Sequence, residues 1–213
     1  MRRVFRHTHV KLVRHPQTDW NREGRHQGHA DRPLTGFGEA RARAVASRLR
    51  AGSFTVIISS GLSRTDELAR AVLGEHPRLS GFVTDERWRE VDHGLWEGLT
   101  YTEVAARYGA EARERFADFW NSRAHGGESG ADLWSRVESA WDDMLVRYDG
   151  GRVLVVTHAT PIRLLLCSVL DVPLENHWRF RVDPGGITSL DLYPSATIVR
   201  TVNEVPPLER STR

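Results

Sequence analysis

Apolar runs and amphipathic stretches alternate along this chain, and their order predicts its fold. Three continuous apolar runs have the pattern of buried strands: HVKLVRH at 9–15, FTVIISS at 54–60 and RVLVVTH at 152–158. Helical spacing of apolar residues occurs between and after them, at 36–52, 62–74, 129–151 and 160–172. Strands that are apolar on both faces belong in a parallel sheet covered by helices. We therefore predict a three-layer α/β fold, with a mostly parallel central sheet and helices on both faces.

The remaining segments complete the predicted domain. We expect a short strand near 81–88 and a hairpin or sheet edge at 186–204, whereas the stretch from the first strand to Gly36 is expected to be a loop. Thr35 is a candidate N-cap for the helix at 36–52, and Gly52 is a candidate stop. Because the chain has no repeat and no long linker, residues 1–213 are predicted to form a single domain. A short helical lid is predicted as an insertion at about 99–128.

The residues that follow the predicted strands indicate where chemistry takes place. In open α/β sheets, functional groups collect beyond the carboxyl ends of the strands. The residues at those positions are Arg14 and His15, Ser59 and Ser60 leading to Arg64, and Thr157 and His158. Glu90 lies in an irregular, glycine-containing segment, REVDHGLWEG at 89–98. Three strands that are far apart in sequence thus bring histidine and arginine side chains to one edge of the sheet, which indicates a site facing a reacting group.

Composition and charge narrow the classes of function. Of the 213 residues, 39% are hydrophobic and 27% are charged, which is ordinary for a globular protein. The net charge is only +2 and the arginines are interleaved with acids, which argues against a nucleic-acid partner. The single cysteine, Cys167, lies in an apolar stretch and is expected to be a buried, reduced thiol. No signal core or run of roughly 20 apolar residues is present. We expect a cytoplasmic monomer or homodimer without a membrane partner.

Five segments resemble, in order, those of the histidine phosphatase superfamily, the phosphoglycerate-mutase-like proteins. LVRHPQTDWN at 12–21 resembles the family's Arg-His-Gly-Glu-Thr-x-x-Asn motif, and GHADRPLTGFGEARA at 28–42 resembles its Pro-Leu-Thr-x-x-Gly segment. SSGLSRTDELA at 59–69 resembles its Ser-Ser-x-Leu-x-Arg segment. REVDHGLWEG at 89–98 and VTHATPIR at 156–163 resemble the Glu-x-x-x-Gly-x-Trp-Glu-Gly and second-histidine segments. The resemblance covers most of the chain and implies a phosphatase that works through a phosphohistidine.

The resemblance implies a role for each catalytic candidate. His15 matches the nucleophile, a neutral imidazole that attacks phosphorus while an acceptor holds its other ring nitrogen. Arg14 and Arg64 match the phosphate clamps. His158 matches the second histidine, which we expect to donate to the same oxygens as an imidazolium. Glu90 matches the group that protonates the leaving oxygen and then activates water. Because these cations can neutralise the phosphate, no metal and no other cofactor is implied.

Substrate binding is expected to involve more residues than the catalytic set. Besides the two arginines and His158, the resemblance implies a neutral donor at Asn21. It also places Gln27 and Gly28 in the lining of the phosphate pocket. Thr18 has two open roles, because its hydroxyl could contact the ligand or bond to the backbone of its own loop. The predicted partner is a small phosphomonoester.

The chain departs from the family pattern at several positions. Pro16 replaces the usual glycine, which removes a backbone donor and fixes φ near roughly −65°. Gln17 replaces the usual glutamate, and Thr160 and Pro161 stand where the family has two glycines. Leu68 stands where a threonine is common. None of these changes removes a central catalytic group, but they leave substrate and rate open.

The predicted activity is that of a phosphoric monoester hydrolase of the histidine acid phosphatase type. Two alternatives of the same fold remain: a phosphoglycerate-type mutase and a non-catalytic protein that binds a phospholigand. A mutase must keep water from its phosphoenzyme, and its relatives generally carry longer insertions over the site than the segment from Leu99 to His125 provides. This difference favours hydrolysis.

Two further features leave alternatives of their own. The pairs His7–His9 and His26–His29 suggest a metal site, but neither has the i, i+4 spacing on a helix that zinc hydrolases use. The lid segment is rich in aromatic residues, which could line a pocket for an organic alcohol or could pack the lid onto the core. These residues are Tyr101, Tyr108, Phe116, Phe119 and Trp120.

Overall fold

The predicted strands form one six-stranded sheet in the computed structural model, which describes residues 6–208. The strands are β1 (Thr8–Arg14), β2 (Val56–Ser59), β3 (Val83–Thr84), β4 (Arg152–Thr157), β5 (Ile187–Leu192) and β6 (Thr197–Glu204). Their order across the sheet is β3-β2-β4-β1-β5-β6. The first four are mutually parallel, whereas β5 is antiparallel to β1 and β6 is antiparallel to β5. The predicted α/β class with a mostly parallel sheet is confirmed, and the hairpin at 186–204 supplies the antiparallel edge.

Helices cover both faces of this sheet. They are α1 (Asp19–Glu23), α2 (Gly36–Leu49), α3 (Ser63–Gly74), α4 (Tyr101–Ala117), α5 (Gly130–Arg147) and α6 (Ala159–Val169). Apolar residues of α2 and α3 pack with Val13 and Val156 on one face, and those of α5 and α6 pack with Val10 and Leu12 on the other. The expected three layers are therefore present. Within residues 6–208, none of the helices combines the length and the apolar character that a bilayer span requires.

The stretch after β1 is not the continuous loop that the sequence predicts, because it contains the short helix α1. The hydroxyl of Thr18 accepts a hydrogen bond from the backbone N–H of Asn21 at 3.3 Å, and Asn21 Oδ1 accepts one from Thr18 N at 3.1 Å. This reciprocal cap begins the helix. Gly24, with φ of 67°, ends it in the left-handed conformation. A helix of five residues is too short for an apolar period to reveal it.

The lid segment, residues 99–128, contains α4 and packs against the loop that follows Glu90. The hydroxyl of Thr100 caps α4, and the helix bends at Gly109. The inward-facing Val104 and Ala112 join Trp96 in a small hydrophobic cluster that is separate from the two main ones. The aromatic side chain of Trp96 thus connects the lid segment to the loop that carries Glu90.

The core explains two features of the sequence. Cys167 is fully buried in α6, as expected, and burial raises the pKa of its thiol. Leu68, which replaces a common threonine of the family, is also fully buried and belongs to the cluster between the sheet, α2 and α3. The leucine in place of threonine therefore affects how α3 packs and does not concern a polar group of the site.

Candidate active site

Neighbouring strands end at one edge of the sheet and bring the predicted residues together. Strands β2, β4 and β1 are adjacent and parallel, so the residues after them lie side by side. The backbone N–H of His15 donates to the carbonyl of Thr157 at 2.9 Å, which joins the ends of β1 and β4. As a result, the ring centroids of His15 and His158 are 5.0 Å apart.

His15 is held as a neutral imidazole of defined orientation. Its side chain is buried, and its Nδ1 lies 2.7 Å from the carbonyl oxygen of Pro16. Burial and the positive charges of Arg64 and Arg14 hold the pKa of His15 well below its usual value. In a neutral ring, Nδ1 must donate its proton to this carbonyl, so Nε2 carries the lone pair. Pro16 lacks an N–H, but its carbonyl supplies the acceptor that a nucleophilic histidine requires.

Two guanidinium groups flank His15, one from the half-buried Arg14 and one from the fully buried Arg64. Arg14 Nη1 donates to the carbonyl of Val182 at 2.7 Å, and Arg64 Nη2 donates to the carbonyl of Gly28 at 2.6 Å. The Nε of each arginine is buried and finds no hydrogen-bond partner among residues 6–208. Burial lowers the pKa of both arginines to about 10, so both remain charged at neutral pH. Together they offer positive charge and free N–H donors to an anion.

His158 is also a neutral imidazole in this arrangement of side chains. Its Nδ1 lies 3.4 Å from Arg64 Nη2 and its Nε2 lies 2.8 Å from the hydroxyl oxygen of Ser60. Because arginine can only donate, Nδ1 is the acceptor and Nε2–H donates to Ser60. Burial and the charge of Arg64 hold the pKa of His158 well below its usual value. The expected imidazolium that donates to phosphate oxygens stays a prediction, since a phosphate dianion nearby would favour protonation.

Gln27 carries the free amide donor of the site. Its Oε1 accepts hydrogen bonds from Thr18 Oγ1 at 2.7 Å and from Asn21 Nδ2 at 3.3 Å. Its Nε2 is buried and has no partner in the described part of the chain. Thr18 has a local role, as cap of α1 and donor to Gln27. Asn21, the predicted neutral donor, is tied into the same network.

Gly28 sets the distance between two loops of the site. A Cβ at this position would lie 2.3 Å from the carbonyl oxygen of Val91 and 2.9 Å from the backbone nitrogen of His93. The carbonyl of Gly28 is also the acceptor for Arg64. Because Gly28 has no side chain, its loop, which accepts the hydrogen bond from Arg64, can approach the loop that carries Glu90.

The carboxylate of Glu90 is buried and held by backbone donors. Its Oε1 accepts from Val91 N at 2.9 Å, and its Oε2 accepts from Thr160 N at 3.2 Å. Thr160 lies in the first turn of α6, so the segment that departs from the family pattern supplies one of these donors. The charge of Glu90 raises the pKa values of Arg14 and Arg64 against the stronger effect of burial. Because Thr160 follows His158 by two residues, its hydrogen bond to Glu90 places this carboxylate at the same site as the two histidines.

Arg136, which the sequence analysis did not single out, anchors the segment around Glu90. From α5, its Nη2 donates to the carbonyl of Glu90 and its Nη1 to the carbonyl of Arg89, each at 2.7 Å. Its Nη2 also pairs with the carboxylate of Glu128 at 2.7 Å. No motif marks Arg136, because its main partners are backbone carbonyls that any sequence provides. Ser60, the partner of His158, does lie in the matched segment at 59–69.

The histidine pair near the N-terminus lies at the opposite end of β1. Potential ligand atoms of His7, His9 and Asp191 lie within 4.8 Å of one another. Asp191, however, already binds His9 Nδ1 at 2.7 Å and forms an ion pair with Arg200. Six residues of strand separate His9 from His15, a distance of about 20 Å. This cluster therefore has no part in chemistry at His15.

This chain is similar to known proteins of one superfamily. A family model described as the histidine phosphatase superfamily, branch 1, matches residues 10–205. Phosphoserine phosphatase 1 of Hydrogenobacter thermophilus is 31% identical over 192 residues, which cover 90% of each chain. An Enterobacter protein named "Probable phosphoglycerate mutase GpmB" is 34% identical over 186 residues, covering 87% of this chain and 86% of that one. The crystal structure of the alpha-ribazole phosphatase from Shigella flexneri superimposes with a TM-score of 0.85 at 26% identity, covering 95% of this chain and all of that one.

Proposed function

Because this chain belongs to the histidine phosphatase superfamily, branch 1, we propose that it hydrolyses a small phosphomonoester through a phosphohistidine at His15. In this proposal it is a phosphoric monoester hydrolase of the histidine acid phosphatase type. One observation carries the proposal: His15 is a buried neutral imidazole whose Nδ1 is fixed by the Pro16 carbonyl. Two guanidinium groups with free Nε–H donors lie beside it. The proposed nucleophile therefore lies beside groups that are already arranged to bind an anion.

In the first step, the lone pair of His15 Nε2 attacks phosphorus and the bond to the alcohol oxygen breaks. The carboxyl proton of Glu90 passes to that oxygen, so the alcohol leaves neutral. Arg14, Arg64 and the amide of Gln27 donate to the phosphoryl oxygens as negative charge builds on them. The Nδ1–H of His15 stays bonded to the Pro16 carbonyl and stabilises the positive ring of the phosphohistidine.

In the second step, water attacks the phosphorus of the phosphohistidine. The carboxylate of Glu90 accepts a proton from this water, and the bond between phosphorus and Nε2 breaks. The electron pair returns to the His15 ring, inorganic phosphate leaves, and Glu90 is again protonated. Since the two arginines provide the positive charge for both steps, the proposal requires no metal ion.

A phosphate-release assay over sugar, nucleotide and cofactor-precursor phosphomonoesters tests this proposal. We expect wild-type protein to release inorganic phosphate from at least one of them, and His15→Asn to release none while keeping the wild-type melting temperature. A His15→Asn variant as active as wild type would refute the mechanism. Binding of phosphomonoesters without turnover would instead favour the non-catalytic alternative.

A mutase is the second candidate, because a relative of 34% identity carries the mutase name. The two activities share the phosphohistidine and differ in what removes the phosphoryl group: water in a phosphatase, a substrate hydroxyl in a mutase. Incubation with 3-phosphoglycerate separates them. Free phosphate as the product supports hydrolysis, whereas 2-phosphoglycerate without free phosphate supports the mutase.

A further inference from the structure

A cavity of about 230 Å³ lies beside the phosphate site and is lined almost entirely by rings. Four elements contribute: the loop before Gln27, the loop after Glu90, the lid segment and the turn at 174–179. Its lining includes His26, His93, Trp96, Arg115, Phe119 and Trp178. We call it the aromatic cavity. A cavity of about 150 Å³ is large enough to hold benzene, so this one has room for a larger flat ring system.

The aromatic cavity adjoins the loops that carry the proposed catalytic residues, because a Cβ at Gly28, whose carbonyl accepts from Arg64, would lie 2.9 Å from the backbone nitrogen of His93. His26 directly precedes Gln27, the amide donor, and His93 follows Glu90 by three residues. His177, a further lining residue, packs against Phe119 of the lid segment with a centroid distance of 4.5 Å. The alcohol portion of a phosphomonoester held at His15 has to leave past Glu90, and the loop that carries Glu90 also supplies His93 and Trp96 to the cavity.

We propose that the aromatic cavity binds a flat, uncharged aromatic ring on the alcohol portion of the substrate, so that the enzyme prefers aryl-bearing phosphomonoesters. The inference rests on the proposed function, since it assigns the leaving group of that reaction. The rings provide the contacts that a flat ligand needs. Phe119 lies 4.5 Å from His177 between ring centroids, and Phe116 is nearly parallel to His26 at 6.4 Å. Trp178 and Phe116 are 65% and 44% exposed and both line the cavity, so a ligand can reach their rings.

The charges of the aromatic cavity favour an uncharged ligand. Burial lowers the pKa values of His26, His93 and His177, so these rings are uncharged at neutral pH. None of the described lining residues is a carboxylate, so the lining itself provides no counter-ion for an ammonium group.

Arg115 does not offer its charge to a ligand. It is only 4% exposed, its guanidinium lies 4.1 Å from the centre of the Phe119 ring, and it donates to the carbonyls of Phe119 and Glu128. A substrate carboxylate would therefore find no free guanidinium in the cavity. Substrates of the phosphoserine or phosphoglycerate type, which carry such charged groups, should bind less well than an uncharged aromatic ester.

Two matched substrates test the proposal. Ethyl phosphate and 2-(1-naphthyl)ethyl phosphate release similar primary alcohols, so they differ mainly in the ring. We expect kcat/KM to be at least about tenfold higher for the naphthyl ester, which is about 1.4 kcal/mol. O-phosphoserine and 3-phosphoglycerate should be no better than ethyl phosphate. A ratio near one, or a preference for either charged substrate, would overturn the proposal.

Substitutions of the cavity rings test whether the preference for the naphthyl ester arises in the aromatic cavity. Trp178→Ala and Phe116→Ala change exposed rings of the cavity and should each lower the naphthyl-to-ethyl ratio at least threefold. Phe37→Ala is the control, because Phe37 is a similarly exposed ring, at 51%, on α2 outside the cavity. It should keep the wild-type ratio. A preference that survives in the Trp178→Ala, Phe116→Ala double variant would place ring binding elsewhere and overturn the inference.

A direct binding measurement separates this inference from the proposed function. If no substrate releases phosphate, the proposed function fails, and calorimetry with 2-(1-naphthyl)ethanol tests the cavity alone. Binding that Trp178→Ala weakens and Phe37→Ala does not would support the aromatic cavity. Absence of binding, or equal binding by all three proteins, would overturn it.

Discussion

Replacement of Gly28 by alanine should reduce catalysis sharply, although this residue has no side chain to contribute. A Cβ at position 28 would lie 2.3 Å from the Val91 carbonyl oxygen and 2.5 Å from Glu97 Oε1, whereas ordinary contacts begin at 3.4 Å. The two loops must therefore separate by about 1 Å. The Gly28 carbonyl of one loop accepts a hydrogen bond from Arg64, and the other loop carries Glu90. Separating the loops therefore moves Arg64, the phosphate clamp, relative to Glu90, the proton donor. A misplacement of this size costs about 100-fold in rate, or roughly 2.7 kcal/mol of barrier.

The assay is kcat/KM for phosphate release from an alkyl phosphomonoester, measured beside the melting temperature. Gly36→Ala is the matched control, since a Cβ there meets no heavy atom within 4 Å. Gly36 begins α2, where alanine is well tolerated, so this variant should keep the wild-type kcat/KM. Wild-type kcat/KM in a folded Gly28→Ala protein would refute the reasoning, because it would mean that the spacing of the two loops does not matter.

Three further predictions follow from the site. Glu90→Gln should slow single-turnover phosphoryl transfer from an alkyl phosphate by roughly 10²- to 10⁴-fold, and far less from p-nitrophenyl phosphate, whose leaving group hardly needs a proton; an equal loss for both would exclude Glu90 as the donor. Exhaustive chelation should leave phosphate release nearly unchanged, and activity that zinc or magnesium restored after chelation would contradict this. The free energy of unfolding should fall as the pH drops below about 6.5, because buried histidines take up protons only in the unfolded chain. Burial lowers the pKa of His93 to about 3. This residue alone should lower the free energy of unfolding by about 2 kcal/mol between pH 7 and pH 5. Chemical denaturation that gave equal stability at both pH values would contradict this assignment.

The sheet and the place of the site could be predicted from the sequence because both depend on local patterns. Continuous apolar runs identify buried parallel strands, and the carboxyl ends of such strands meet at one edge. Arg14, His15 and His158 follow directly from that rule. Arg64 lies in the first turn of α3, which begins shortly after β2 ends, so the same rule brings it to the site.

Features that depend on long-range contacts could not be predicted in this way. Arg136 reaches the carbonyls around Glu90 from a helix more than forty residues further along the chain. The neutral state of His158 results from burial beside Arg64, which no local pattern reveals. The roles of Gly28 and of the lid aromatics depend on how loops approach each other. Sequence spacing shows which groups are available, whereas only the packed structure shows which of them have a partner.

The central claim is that His15 carries the phosphoryl group, and trapping the intermediate tests it most directly. Protein mixed with a ³²P-labelled phosphomonoester should be quenched in base within the first turnover and digested, and the label located by mass spectrometry. Because Pro16 holds Nδ1 and leaves Nε2 free, we predict an acid-labile, base-stable phosphoryl group on Nε2 of His15. Label on a serine, an aspartate or another histidine, in a protein that still releases phosphate, would contradict the account.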